Sequence, residues 1–427
     1  MIATSFQRLL PAGLAIVASF GIACRGADRT EPADLSSWSV DVQPLPTPAG
    51  PGSFAPQLTN SPAGVILSWI EQTGERSTLA FSERTAGTWS APGTAAAGGG
   101  WFVSWADVPS VLRLSSGTLV SAWFVATREE IEAYDTYLSY STDDGRSWAQ
   151  PFTPHHDKTT TQHGFATLVE MPDTGLGLVW LDGRDMHNHT THPEGGVMTL
   201  RFTSFSPDWT QGPDMEVNAR VCECCQTAAA VTADGILTAF RDRTESDIRD
   251  IAVSRLENGR WTEPATVHDD GWEIYLCPVN GPALSARGND AVAAWFTVQD
   301  DQGHAYAAFS DDAGRTWSAP TRLDEQQSLG YVDVELLGDG TAVATWVEFA
   351  GGRRHVRMRR VDPSGTASAA VEIAGDAEGR VGGYPRMARQ GEELIFAWTE
   401  SSVADGDANA AQQVKGAIAR IPRTTAP

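Results

Sequence analysis

Basic residues are in short supply. Lysine and arginine total 31 against 54 aspartates and glutamates, for a formal charge of −23. That balance excludes a nucleic-acid surface, because phosphate backbones are bound by clustered cations. It suits a protein kept soluble by self-repulsion. Long runs of strong helix formers are also few, whereas glycine (41), proline (24) and tryptophan (15) are plentiful, which favours strands and turns. Cysteine is rarer, with five in 427 residues. The apolar run Leu9 to Ala23 behind Arg8 is short and built of small side chains. It falls below the roughly 20 residues of a spanning helix and matches the apolar stretch of a signal peptide.

The end of that run, Gly21-Ile22-Ala23-Cys24, resembles a bacterial lipobox. The resemblance implies that residues 1–23 are a signal peptide, that Cys24 is lipidated and that polar residues 24–36 form a tether; ordinary secretion with cleavage nearby is the alternative. Arg25 stands where an aspartate retention signal would be, which favours the outer membrane. The chain is therefore expected to be an exported cell-envelope lipoprotein, in the outer membrane or periplasm, touching the membrane only through its lipid. Such a compartment is oxidising.

A strand-like segment ending in an aromatic residue recurs seven times, at Trp69, Trp123, Trp180, Phe240, Trp295, Trp346 and Trp398, with spacings of 54, 57, 60, 55, 51 and 52 residues. Each is a nearly continuous apolar run preceded by a Gly or Asp turn, the pattern of a strand buried on both faces. Repeats of this length fit one four-stranded propeller blade each. The seventh repeat offers only three strands, near Tyr384–Ala388, at Trp398 and at Gln413–Ile421, before the chain ends. The segment Trp38–Leu45 is expected to supply the fourth strand and cover the open edge. The expected fold is an all-β, seven-bladed propeller over residues 37–423.

About twenty residues after two of these strands stands S-x-D-x-G-x-x-W, as Ser141, Asp143, Gly145 and Trp148 and again as Ser310, Asp312, Gly314 and Trp317. Weaker copies run from Ser82 to Trp89 and from Ser254 to Trp261. The motif resembles the Asp-box (BNR) repeat of the sialidase superfamily. Its aspartate caps turn amides, its glycine takes a positive φ and its tryptophan fills the space between blades. Sialidases typically have six blades, so a six-bladed ring is the alternative fold.

Inner strands should begin, and second strands end, on one face. Candidate rim residues there are Pro56, Asp107, His163, Cys225, Gln226, Cys277, Asn280, Tyr331, Asp333, Tyr384 and Arg386, joined by Glu71, Arg128, Asp182, Arg184, Arg241, Asp242, Arg243, Glu348 and Glu400. Polar residues crowding one rim mark a binding face, although W-x-D/E endings can simply satisfy turn amides. Cys222, Cys224, Cys225 and Cys277 occupy equivalent positions in adjacent repeats. Two disulfides are expected, with three pairings open. The competing reading is a copper or zinc site that joins them to His163, His187, His189 and His192.

The sialidase resemblance implies a substrate carboxylate held by three arginines, here Arg184, Arg243 and Arg386. It also implies a nucleophilic tyrosine, Tyr331 or Tyr384, paired with Glu348 or Glu400, and Asp107 completes the candidate catalytic set. The family's Phe/Tyr-Arg-Ile-Pro motif is absent. The leading expectation is thus a binding protein, directed at a glycan or a surface protein and needing no cofactor. An exo-α-sialidase-type hydrolase is the first alternative, and copper or zinc binding at the Cys/His rim the second.

Overall fold

A computed structural model describes Met1 and residues 35–128, 133–186, 196–375, 380–401 and 412–421. Cys24, His187, His189 and His192 lie outside the described residues. Leu35, inside the segment expected to be tether, is fully buried in a short 3-10 turn, Leu35–Ser37.

Among the described residues, seven antiparallel sheets follow one another along the chain. Blade one runs through Ser53–Asn60, Gly64–Thr73 and Arg76–Thr85 to the edge strands Thr88–Trp89 and Gly93–Gly99. Blade two has Ser110–Arg113, Leu119–Arg128 and Ala133–Ser141, whose last strand makes isolated bridges from Leu138 to Phe152 and from Tyr134 to Gln162. Blade three holds His163–Glu170, Leu176–Asp182, Met198–Phe205 and Met215–Val221. Blade four spans Ala228–Thr232, Gly235–Arg241 and Ile251–Glu257, whose last strand pairs with both Arg260–Trp261 and Ala265–Thr266. Blade five is Ala283–Arg287, Asp290–Gln299, Gln302–Ser310 and Thr321–Arg322, and blade six is Gln327–Leu336, Ala342–Ala350, Arg353–Val361 and Val371–Gly375. Blade seven, Arg380–Gln390, Glu393–Ser401 and Gln412–Arg420, is completed by Val42–Pro44. The protein is a seven-bladed β-propeller, and the six-bladed alternative falls.

The second strands are buried on both faces as their apolar runs require. All seven residues of Leu176–Asp182 are buried, and so are the first seven of Ala342–Ala350. Ring closure also occurs where expected, over a shorter stretch. Val42, Gln43 and Pro44 pair with Ala419, Ile418 and Ala417, and proline is tolerated because the strand is an edge. Trp38 is not part of that strand. It is buried among Phe396, Trp398 and Ile421 of blade seven and Val343 and Val347 of blade six.

The two S-x-D-x-G-x-x-W turns are held alike. Ser141 Oγ donates to Asp143 Oδ1 at 2.8 Å, while Ser147 donates to the same carboxylate through its amide at 2.9 Å and its hydroxyl at 2.6 Å. Asp312 receives the equivalent bonds from Ser310 and Thr316. The Ser147 hydrogen bonds hold Asp143 down at about 2. Gly145 has φ 79°, and a Cβ there would stand 2.7 Å from the Phe81 ring of blade one. Trp148 meets that ring edge-on with centroids 6.1 Å apart, so the tryptophan does lie between blades.

Closure predicts a stability contrast between two tryptophans. Trp38→Ala empties a buried contact where the segment leading into the closing strand packs against blades six and seven, and should cost about 3–5 kcal/mol in urea unfolding. Trp105→Ala, at a site 47% exposed, should cost well under half of that. Equal losses would show that this packing is not a special point of the ring.

Candidate functional site at the inner-strand face

Register places the beginnings of inner strands beside the ends of second strands: Ser53 opposite Glu71, His163 opposite Asp182 and Ser328 opposite Glu348. The residues gathered on this face divide by what they bond to.

Several rim carboxylates serve the blades themselves. Positions two apart on a strand share a face, so a W-x-D/E ending turns the carboxylate towards the indole. Trp69 Nε1 donates to Glu71 at 2.8 Å, Trp180 Nε1 to Asp182 at 2.8 Å and Trp346 Nε1 to Glu348 at 3.1 Å. Turn amides take the remaining capacity, with Arg184 N bonding to Asp182 at 3.0 Å and Glu325 N to Glu348 at 3.2 Å. In blade five the residue after next is Thr297, and Asp270 accepts from Trp295 instead, at 2.7 Å. Blade four has Phe240, which has no indole to offer, and Asp242 takes the Asn218 amide at 2.7 Å. Glu348 is almost fully buried and also faces the Arg357 guanidinium at 2.8 Å.

Two of the three candidate arginines are paired with carboxylates, and the third, among the described residues, is not. Arg184 forks onto Asp182, with contacts of 2.8 and 2.7 Å, and reaches Asp214 at 2.9 Å. Arg243 bonds Glu223, and Asp247 at 2.7 Å. Arg386 lies 5.2 Å from the Tyr384 ring centroid. Burial lowers its pKa, and the charge of Asp333 resists the shift. Arg241, grouped with the rim from sequence, is a fully buried staple between blades. It donates to the carbonyls of Asn280, Arg249 and Phe296 at 2.7, 2.5 and 2.6 Å, and burial pulls its pKa down to about 10.

The cysteines resolve into Cys222–Cys225 and Cys224–Cys277, with Cα separations of 5.7 and 6.1 Å, both within the range a disulfide spans. The vicinal Cys224–Cys225 pairing is not formed. The turn is tied to its surroundings by Glu223, whose carboxylate meets Arg243 and Arg249 and whose carbonyl accepts from Gln162 at 3.1 Å.

The second disulfide anchors the loop that crosses the mouth of the channel. Tyr384 of blade seven donates its hydroxyl to Val279 O, and Tyr331 N donates to Asn280 Oδ1 at 2.8 Å. Gln226 of the cysteine turn spans further, giving Nε2 to Ala106 O at 2.6 Å and accepting from Gly281 N at 3.2 Å. Above these bonds sit three rings. Trp105 stacks on Tyr384 at 6.0 Å and 18°, and meets Tyr331 edge-on at 5.8 Å; Tyr331 and Tyr384 are 4.8 Å apart. Burial, and next the neighbouring Tyr331, push the Tyr384 phenol upward, so it stays a neutral donor. Trp105 is 47% exposed, and Tyr275 and Leu276 beside Cys277 are 73% and 76% exposed.

Beneath the rings lies a 400 Å³ cavity lined by inner-strand residues, among them Asp107, Asp333, Glu335 and Arg386. Asp107 Oδ2 accepts from the Tyr134 hydroxyl at 2.7 Å and from Phe165 N at 2.9 Å, whereas its buried Oδ1 has no partner. Burial raises its pKa to about 7, against those two hydrogen bonds. Glu335 is likewise raised to about 7, by burial and then by Asp333.

His163 is fully buried and stacked face to face on His155, with centroids 3.8 Å apart and planes 4° from parallel. Asp135 and Asp157 flank the pair. Sequence reasoning missed His155, Asp135, Asp157 and Trp105. The run Pro154-His155-His156-Asp157 was a visible signal beside His163, but it sits between strands, where the repeat assigns no position.

The Asp107 environment has a pH signature. A carboxyl raised from 3.8 to about 7 on folding leaves the folded state holding more protons than the unfolded chain across that window. Its contribution to stability is therefore full at low pH and is lost as pH climbs to about 7. Asp107→Asn stays neutral and can use its Oδ1 towards Tyr134 and Phe165. The stability of the wild type relative to Asp107→Asn should fall between about pH 4 and about pH 7, read as the difference between their thermal midpoints. Carboxylates shifted downward elsewhere cancel in that comparison, and parallel pH profiles would contradict the assignment.

No family model matches the chain, and no curated protein matches it in sequence. Among solved structures it is similar to the polysaccharide lyase Uly1, at 9% identity over 86% of this chain and 90% of that one, with a TM-score of 0.52. It is also similar to the endosialidase of phage phi92, at 8% identity over 91% of this chain and 70% of that one, with a TM-score of 0.51. A protein of unknown function from Dyadobacter fermentans aligns at 14% identity over 87% of this chain and 95% of that one, with a TM-score of 0.49. With the lyase and the endosialidase, at such identities, the shared property is the fold.

Proposed function

We propose that the chain is an exported binding protein that takes up a glycan on the aromatic mouth of its inner-strand face. The observation that carries this reading is the Trp105 ring, 47% exposed and stacked on Tyr384 over a bridged channel. An exposed ring backed by a second ring is a rigid apolar platform with little entropy to lose, and it suits the flat face of a pyranose. Tyr275 and Leu276, held out by Cys277, extend the apolar rim. Two propellers of similar fold are named as a polysaccharide lyase and an endosialidase, which agrees with a carbohydrate ligand. The S-x-D-x-G-x-x-W turns support a distant sialidase-superfamily origin, and lipidation of Cys24 would display the mouth from the cell envelope.

Binding is favoured over hydrolysis because the groups a sialidase would need are committed. Tyr384 donates to a backbone carbonyl, Glu348 is locked by an indole, and Arg184 and Arg243 are neutralised by aspartate and glutamate. With two of the three arginines of a carboxylate clamp already paired and only Arg386 left over the cavity, the ligand should be a neutral oligosaccharide rather than a sialoside.

A glycan array probed with the purified full chain should show retention of neutral oligosaccharides, and Trp105→Ala should weaken it by about tenfold or more. A fluorogenic sialoside should not turn over. Turnover that disappears in Arg243→Ala would replace this reading with the hydrolase.

A further inference from the structure

The His155–His163 pair lies outside the aromatic mouth and plays no part in the glycan reading. His163 opens the inner strand of blade three, His155 and Asp157 precede it in the connecting loop, and Asp135 comes from the third strand of blade two. Asp135 Oδ1 stands 3.1 Å from His163 Nδ1 and 3.6 Å from His155 Nε2. On the opposite edge Asp157 Oδ2 is 3.2 Å from His163 Nε2, and its Oδ1 is 3.5 Å from His155 Nδ1.

Two atoms in this group are orphans. His155 is only 6% exposed, yet its Nε2 has no hydrogen-bond partner, and neither has the buried Asp157 Oδ1. Buried polar atoms are rarely left so. At 3.6 Å the His155 Nε2 to Asp135 Oδ1 contact is too long for a hydrogen bond. It is instead close to the separation of two ligands on one ion, since bonds of about 2.0–2.1 Å at tetrahedral angles place ligand atoms roughly 3.3 Å apart. Asp182 is not needed: Arg184 and the Trp180 indole already fill its acceptor sites.

We propose that Asp135, His155 and His163 bind one divalent transition-metal ion of the zinc class through Oδ1, Nε2 and Nδ1. Asp157 stands behind His163 and takes the proton of Nε2, which leaves Nδ1 as the coordinating nitrogen; a carboxylate behind a ligand histidine has this orienting effect in metal sites generally. Two imidazoles and a carboxylate are a donor set suited to zinc, with the fourth position open to water. Each nitrogen lone pair lies in its ring plane, so binding must splay the two stacked rings. The Asp135 side chain, 20% exposed, marks the entry side.

The test is calorimetric titration of zinc into the chelator-treated full chain. One ion per chain is expected. Asp135→Asn, which keeps the shape of the side chain, and His155→Ala should each weaken binding by more than about tenfold, and Asp157→Asn by about tenfold. Replacing His187, His189 and His192 together by alanine should leave that site intact, and thermal midpoints establish that each variant is folded. Absence of stoichiometric zinc overturns the proposal. So does stoichiometric binding that survives His155→Ala and Asp135→Asn but is lost in the triple variant.

Discussion

The pairing of Val42–Pro44 with Gln412–Arg420 is the contact on which the rest of the molecule depends. A row of twisted sheets becomes a ring only when its first and last members meet; until then it exposes two unpaired edges. Once the ring is closed, the inner strands converge, and loops far apart in sequence come within hydrogen-bond reach over the channel. The bonds from Tyr384 to Val279 and from Gln226 to Ala106 link blades seven to five and four to two. Those bridges bury Asp107 and hold the ring stack of Trp105, Tyr331 and Tyr384. The contact between chain ends and the character of the mouth are therefore one problem.

The same face shows how a propeller separates its own upkeep from binding. A tryptophan buried at the end of a second strand gains from a partner for its indole N–H, although Trp398 of blade seven goes without one among the described residues. In blades one, three and six the carboxylate two residues on is that partner. Buried cations on the rim are likewise consumed by backbone carbonyls or by neighbouring acids, as Arg241 and Arg249 are. What remains for a partner is apolar and exposed: Trp105, Tyr275 and Leu276. A polar rim read from sequence thus becomes a mostly structural rim around an aromatic centre.

How much was legible follows from which contacts are local. The seven second strands, the serine–aspartate turns and the short final blade repeat along the chain, so periodicity exposed the architecture and its closure. The W-x-D/E endings were visible, but their indole partners were not, because a carboxylate in that position can equally cap a turn. The disulfide pairing depended on how one turn of blade four faces the loop before blade five. His155 and Asp157 belong to a connection that no repeat constrains, and Asp135 reaches them from the adjacent blade. Bulges at the inner-strand starts, where Ala55, Phe165 and Tyr331 take positive φ values of 51°, left no sequence signal, since none of the three is a glycine.

Hydrogen exchange of the full chain with and without a retained oligosaccharide tests most directly whether the aromatic mouth is the working surface. Protection is predicted in the segments that carry Trp105, Tyr275 to Gly281, Tyr331 and Tyr384, and none in the turns Ser141–Trp148 and Ser310–Trp317. Protection confined to those turns, with the mouth unchanged, would contradict it.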